Sequence, residues 1–307
     1  MNKHRIFGRF LWLLFVFVLS VSAPAQQSQP NAEKSVAGGV SRVQTLQLES
    51  RLTAREMPYR VIFPNGYDAK EKANERYPVI YLLHGLGGHF DNWTDKTKLA
   101  EYAAPYNFII VTPEGGDGWY TDSASLPNDR YETYIADELI PEIDKKFRTF
   151  ADRNSRAIAG LSMGGYGAFK FALKYPEKFV LAGSFSGVHN AASLNEKNTS
   201  AWIIKSIDSV FGNETSETRK ANDIFRIIRE IPAEKSKELP FFYFDCGTED
   251  IFAPNNRDFM NLLVEKKIRH EYRQLPGGHT WVYWDAQVRE FLRLSENFFR
   301  KAKAKTN

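Results

Sequence analysis

Cysteine is almost missing from this chain. Its 307 residues include one, Cys246. No intramolecular disulfide can form, and zinc sites built on two or more thiolates are excluded. A chain of this length does without disulfides because its core is large, and the lone thiol reads as a buried core group. A strong charge of either sign is missing too. The formal net charge is +4, but Lys3, Arg5 and Arg9 lie in the first 25 residues, which hold no acid, so the rest carries +1. The basic balance also owes something to Lys301, Lys303 and Lys305 at the end. It is therefore poor evidence for a nucleic-acid partner, and none is expected. Also missing are internal repeats, low-complexity segments, a P-loop, an H-E-x-x-H pair and a complete G-x-G-x-x-G. Nucleotide and zinc chemistry lack support, and neither cofactor nor metal is expected.

Hydrophobic runs long enough to span a membrane are missing as well. The longest, residues 10–21, is about a dozen residues, short of the roughly 20 a spanning helix needs. It follows the basic start and precedes Ala23 and Ala25, an A-x-A-like cleavage site before Gln26. Residues 1–25 thus read as a removable export signal, leaving 282 residues in the periplasm or outside the cell. No cysteine lies near that site, so neither a lipoprotein leader nor a stable membrane anchor is expected.

What is present is ordinary for a soluble globular domain. Hydrophobic residues make up 43% and charged residues 25%, which argues against disorder, collagen-like repeats and coiled coils. Twenty-three Phe and 14 Tyr favour a thick core. Residues 26–40 read as a flexible lead-in, 41–299 as one domain and 300–307 as a basic tail. Two β-like stretches, VQTLQLES and MPYRVIFP, end at Asn65-Gly66. Continuous apolar strands follow at 77–83, 108–112, 156–160, 180–185 and 241–246, with another strand at 270–275. Helical spacing marks 130–147, the stretch after Ser162 as far as Pro176, 255–267 and 282–299. Strand then helix, repeated with unalternating strands, predicts an α/β fold whose sheet is buried on both faces. Residues 189–238 break the rhythm and read as an insertion over one end of the sheet.

The sharpest chemical signal is Gly160-Leu161-Ser162-Met163-Gly164, G-x-S-x-G between a strand and a helix. A serine hydroxyl is a weak nucleophile that must be presented to a base and a carbonyl. A sharp strand-to-helix bend does this, and it demands small neighbours on either side. The bare pattern arises by chance in about one chain in ten at average composition, so the strand-helix context decides it. A base is then required. His279, in LPGGHTW after the last strand, fits the order serine, acid, histidine; His189 is the rival, and His270 reads as structural. The acid should follow strand FFYFDC: Asp250 is favoured, with Glu249 and Asp245 as alternatives. A tetrahedral intermediate needs donors for its oxyanion. One is the Met163 amide. The other is expected from His84-Gly85-Leu86-Gly87-Gly88, at Leu86, with Gly87 second. Trp119, Tyr120 and Trp281 are candidates for pocket walls, with core packing the alternative for Trp119 and Tyr120, and Trp284 assigned to the core. Sequons at Asn92, Asn198 and Asn213 matter only in a glycosylating host.

The stretches YLLHGLGGHFDNW, TPEGGDGWYTDS, YIADELIPEIDKKFR, RAIAGLSMGGYGAFKFALKYPEKF, FSGVH, DCGTED and LPGGHTWVYW, in this order, resemble the esterase D-like family. That family holds S-formylglutathione hydrolases, feruloyl and acetyl-xylan esterases and secreted mycolyltransferases. The resemblance spans roughly residues 59–299. It implies an α/β-hydrolase fold with Ser162 as nucleophile, Asp250 as acid, His279 as base, and the Leu86 and Met163 amides as the oxyanion hole. The activity it implies is cofactor-free hydrolysis of a small ester of feruloyl or acetyl type. The leader fits poorly with glutathione-dependent detoxification, and HGLGG departs from the mycolyltransferase loop, which weakens acyl transfer. A thioesterase, an acyltransferase and a non-catalytic binding protein remain as alternatives; substrate identity and oligomeric state are not legible.

Overall fold

The computed structural model describes residues 42–195 and 199–306, with side chains to residue 300. The expected leader and lead-in lie outside the described residues. Eight strands form one sheet: β1 Val43–Ser50, β2 Arg55–Ile62, β3 Val79–Leu83, β4 Ile109–Pro113, β5 Arg156–Leu161, β6 Leu181–Phe185, β7 Phe241–Gly247 and β8 His270–Leu275. Their order is β1-β2-β4-β3-β5-β6-β7-β8. β1 and β2 pair antiparallel, β2 meets β4 antiparallel, and all later neighbours are parallel. Six helices matter below: α1 Ile140–Lys146, α2 Met163–Lys174, α3 Ala201–Phe211, α4 Ile224–Glu230, α5 Ala253–Glu265 and α6 Trp281–Thr306.

The unalternating strands have the predicted cause. Val79, Tyr81 and Leu83 of β3 face one core with Phe169 and Phe171 of α2, while Ile80 and Leu82 face a second core with Val288, Phe291 and Leu292 of α6. Both faces of β3 are dry, so each of its positions is apolar. Residues 130–147, read as one helix, instead run through a π-helical stretch, Tyr134–Leu139, into α1. Pro141 has no N–H for the carbonyl four residues back, which interrupts the regular ladder.

Between β6 and β7 lie α3, α4 and shorter helical turns. They pack against the start of α2 and the loop after β4: Tyr166 Oη–H donates to Asn222 O at 2.7 Å, and Trp119 Nε1–H to Ser206 Oγ at 2.9 Å.

Register brings the functional loops together. Leu83 pairs with Gly160, Leu161 with Phe185, Phe185 with Asp245, and Gly247 with Leu275. The carboxyl ends of β3, β5, β6, β7 and β8 therefore finish level, and the loops leaving them share one rim of the sheet. In an open parallel sheet that rim is where sites are built.

Candidate active site

Ser162 caps α2 with φ 53° and ψ −115°. A non-glycine residue there costs about 1–3 kcal/mol and persists only where its surroundings hold it. They do: Ser162 N–H donates to Phe185 O at 2.9 Å, and Ser162 O accepts from Tyr166 N–H at 3.1 Å and Val188 N–H at 3.2 Å. Gly164 explains the close approach of the helix start to β3. A Cβ at that position would stand 2.5 Å from His84 O and 2.6 Å from Leu83 O.

His279 Nε2 lies 3.0 Å from Ser162 Oγ, and His279 Nδ1 lies 2.9 Å from Asp250 Oδ2. A carboxylate only accepts, so Nδ1 carries the proton and Nε2 turns its lone pair to the hydroxyl. The Asp250 side chain is buried, whereas His279 keeps 28% of its side-chain surface exposed. Burial pushes the Asp250 carboxyl up. The hydrogen bond and charge of His279, with the Phe252 amide at 2.9 Å, outweigh that and hold it below its ordinary value.

Backbone bonds bring acid and histidine together. Thr248 N–H donates to Leu275 O at 2.8 Å and Glu249 N–H to Gly277 O at 2.9 Å. Gly247 permits this contact, because a Cβ there would stand 2.0 Å from Gly277 O. Rings complete the setting. Phe252 and Trp284 lie 5.1 and 4.9 Å from the His279 ring, centroid to centroid. Neither stood out in the sequence as a partner of the histidine. The position of Trp284 one turn into the helix after His279 was the available signal.

Among the described residues, the N–H groups of Leu86 and Met163 have no hydrogen-bond acceptor. The Gly87 N–H, the second expected donor, is taken by Asp117 Oδ1 at 2.7 Å. A Cβ on Gly85 would stand 3.4 Å from Ser162 Cβ, so the 84–88 loop borders the serine.

The rival residues lie elsewhere. His189 is buried and stacked between Phe169 and Phe259, centroids at 4.8 and 4.5 Å, and burial pulls its pKa down to about 3. It is a neutral core imidazole. Asp245 is buried within β7, where burial pushes its carboxyl up to about 7, and Glu249 is exposed. His270 is half-buried, with Nδ1 2.8 Å from Ile268 O.

The aromatic candidates divide. Trp119 is 2% exposed and packs edge-on against Tyr166 at 5.9 Å. Tyr120 is fully buried, and its hydroxyl donates to His84 O at 2.9 Å. Neither has surface to offer a ligand, which corrects the expectation that they wall the pocket; the packing of α2 and α3 covers them. Trp281 is half-buried, edge-on to Trp93 at 5.6 Å, with Lys96 Nζ 5.2 Å from its ring centroid. A cavity of about 810 Å³ lies at the far end of α2, lined by Leu173, Lys174, Ile231, Lys235 and Leu239. Roughly 16 Å of helix separates it from Ser162, so its size does not mark the chemistry.

The family model described as "Putative esterase" matches residues 50–294. The chain is 29% identical over 229 residues to an acetyl esterase of Caldicellulosiruptor saccharolyticus, covering 73% of this chain and 85% of that one. It is 32% identical over 242 residues to an esterase of Mycobacterium tuberculosis; 72% of this chain aligns with about half, 52%, of that protein's length. Among solved structures, a ferulic acid esterase superposes with a TM-score of 0.72 at 26% identity, covering 84% of this chain and 98% of the other.

Proposed function

The chain belongs to the esterase family, and from that premise we propose that it is an exported serine esterase working through an acyl-enzyme on small or aromatic acyl esters. The observation that carries the reading is the unbroken contact from Asp250 through His279 to Ser162, at 2.9 and 3.0 Å. Ser162 Oγ attacks the ester carbonyl while His279 Nε2 takes its proton. The unpaired Leu86 and Met163 amides receive the oxygen of the tetrahedral intermediate. Collapse expels the alcohol, protonated by His279, and leaves the acyl group on Ser162. Water, activated by the same imidazole, then releases the acid. Asp250 keeps Nδ1 protonated and stabilises the imidazolium.

The acyl class rests on the acetyl and ferulic acid esterases among its relatives. Phe252 and Trp281, half-buried near His279, supply apolar surface for such groups. Export rests on the first 25 residues, and amino-terminal sequencing of the protein recovered outside the cytoplasm should begin at Gln26.

The test is Ser162→Ala assayed on p-nitrophenyl acetate, butyrate and ferulate, with fluorophosphonate labelling of the unmodified protein. Loss of turnover and a label on Ser162 are expected. Retained turnover, or a label elsewhere, overturns the assignment. Ester products formed with added alcohols would point to acyl transfer instead.

A further inference from the structure

The loop after β4 grips the loop after β3 at several points. Glu114 Oε2 accepts from Phe90 N–H at 3.2 Å and lies 3.3 Å from His89 Nδ1, while Oε1 accepts from Gly116 N–H at 2.7 Å and Gly115 N–H at 3.2 Å. Asp117 Oδ1 accepts from Gly87 N–H at 2.7 Å. Gly115 N–H donates to His84 Nε2 at 3.0 Å, so the proton sits on His84 Nδ1, 2.8 Å from Gly85 O. Gly88 N–H donates to the same oxygen at 3.0 Å.

These contacts have a directional consequence. The carbonyl of Gly85 and the N–H of Leu86 belong to one planar trans peptide and point opposite ways. Pinning Gly85 O from two sides therefore aims the Leu86 N–H the other way. Holding Gly87 N–H on Asp117 fixes the next peptide plane and keeps that amide from competing as a donor. We propose that Glu114 and Asp117 are positioning residues that hold residues 84–90 so that the Leu86 N–H faces the substrate oxygen. The inference rests on the reading of Leu86 as an oxyanion donor. Neither carboxylate touches the reacting atoms; each acts through the backbone it grips. Glu114 suits the task because its two oxygens accept from the Phe90, Gly115 and Gly116 N–H groups at once, tying the two loops together.

A plain loop clasp would affect stability alone, whereas a positioning role lowers kcat at nearly constant KM. Asp117 is exposed, so its variants retain the fold. Asp117→Ala in the full chain should lower kcat on p-nitrophenyl acetate about tenfold or more, with KM within about twofold. A trifluoromethyl ketone, which forms an oxyanion on the serine, should bind more weakly by a similar factor. Asp117→Asn keeps an acceptor oxygen and should stay within about threefold of the unmodified enzyme. Glu114→Gln should lower kcat in the same way; if it misfolds by circular dichroism, the Asp117 pair decides. Unchanged kcat in Asp117→Ala, an effect confined to KM, or equal loss in Asp117→Ala and Asp117→Asn would overturn the inference. Ser162→Ala keeps the two readings apart. If it abolishes turnover while Asp117→Ala is normal, only the positioning role fails.

Discussion

The indole of Trp284 stands edge-on to the imidazole of His279, with centroids 4.9 Å apart and ring planes at 90°. With the Phe252 contact and the Asp250 bond, it leaves the imidazole little freedom to turn. Trp284→Ala should lower kcat by about 10²-fold, the scale expected when a catalytic group shifts by about 1 Å. The indole is 5% exposed, so the same change should cost about 3–5 kcal/mol of stability. Trp284→Phe should recover most of both. Kinetics at a temperature where urea melts show all three proteins folded are the check.

Strain at Ser162 predicts a stability effect of opposite sign. Glycine adopts φ 53° without the penalty a side chain incurs, while it costs about 0.5–1 kcal/mol more in chain entropy. Ser162→Gly should therefore be more stable than Ser162→Ala by up to about 2 kcal/mol, though both are inactive. Denaturant midpoints of the two variants measure this directly. A less stable glycine variant would mean that the bend is not strained.

Asp250→Asn retains shape but offers an N–H₂ group toward His279 Nδ1. The imidazole would then expose a protonated Nε2 to Ser162, the wrong tautomer for a base. A fall of about 10⁴-fold in kcat is expected, with circular dichroism unchanged. Glu249→Gln should leave kcat within about twofold, because the side chain is exposed.

A buried ion cluster predicts the acid limit of the fold. Lys170 Nζ lies 2.8 Å from Glu132 Oε2 and 2.6 Å from Tyr120 O, and Lys174 Nζ lies 2.5 Å from Glu132 Oε1. Burial pushes the Glu132 carboxyl up, but the two lysines outweigh it and hold it at about 2, against an ordinary 4.5. A carboxyl depressed in the fold contributes fully above its unfolded value and loses that contribution as pH falls through the folded one. Melting temperature should thus decline between about pH 4.5 and 2. In Glu132→Gln that decline should be shallower. Above about pH 4.5 the variant should also be less stable, by about 3–5 kcal/mol, because Lys170 would remain buried without its partner, and the gap should narrow as pH falls. An unshifted curve would remove the cluster as the cause.

Much of this was legible in the chain itself. Unalternating strands announced a sheet covered on both faces, and Val79–Leu83 fills the two cores in turn. The small residues around Ser162 announced a tight strand-to-helix bend, because only small side chains fit beside it. The 189–238 stretch stood out because it broke the rhythm. The aromatic stretch after β4 was not decidable from sequence. Trp119 and Tyr120 look the same in sequence whether they meet ligand or core, and only the packing of α2 and α3 excludes solvent from them.

Local sequence therefore determined the elements and the bend at Ser162, since these depend on side-chain period, steric size and backbone freedom within a few residues. The tertiary structure decided which histidine and which carboxylate meet the serine. His279 lies 117 residues from Ser162, and Asp250 lies 29 from His279. Separations of that size carry no distance information until parallel pairing levels the strand ends and the Glu249–Gly277 backbone bond joins the last two loops. Asp245 and His189 are chemically able to do the same work, but the fold places them elsewhere, His189 stacked between Phe169 and Phe259 and Asp245 beside Tyr243 and Tyr283.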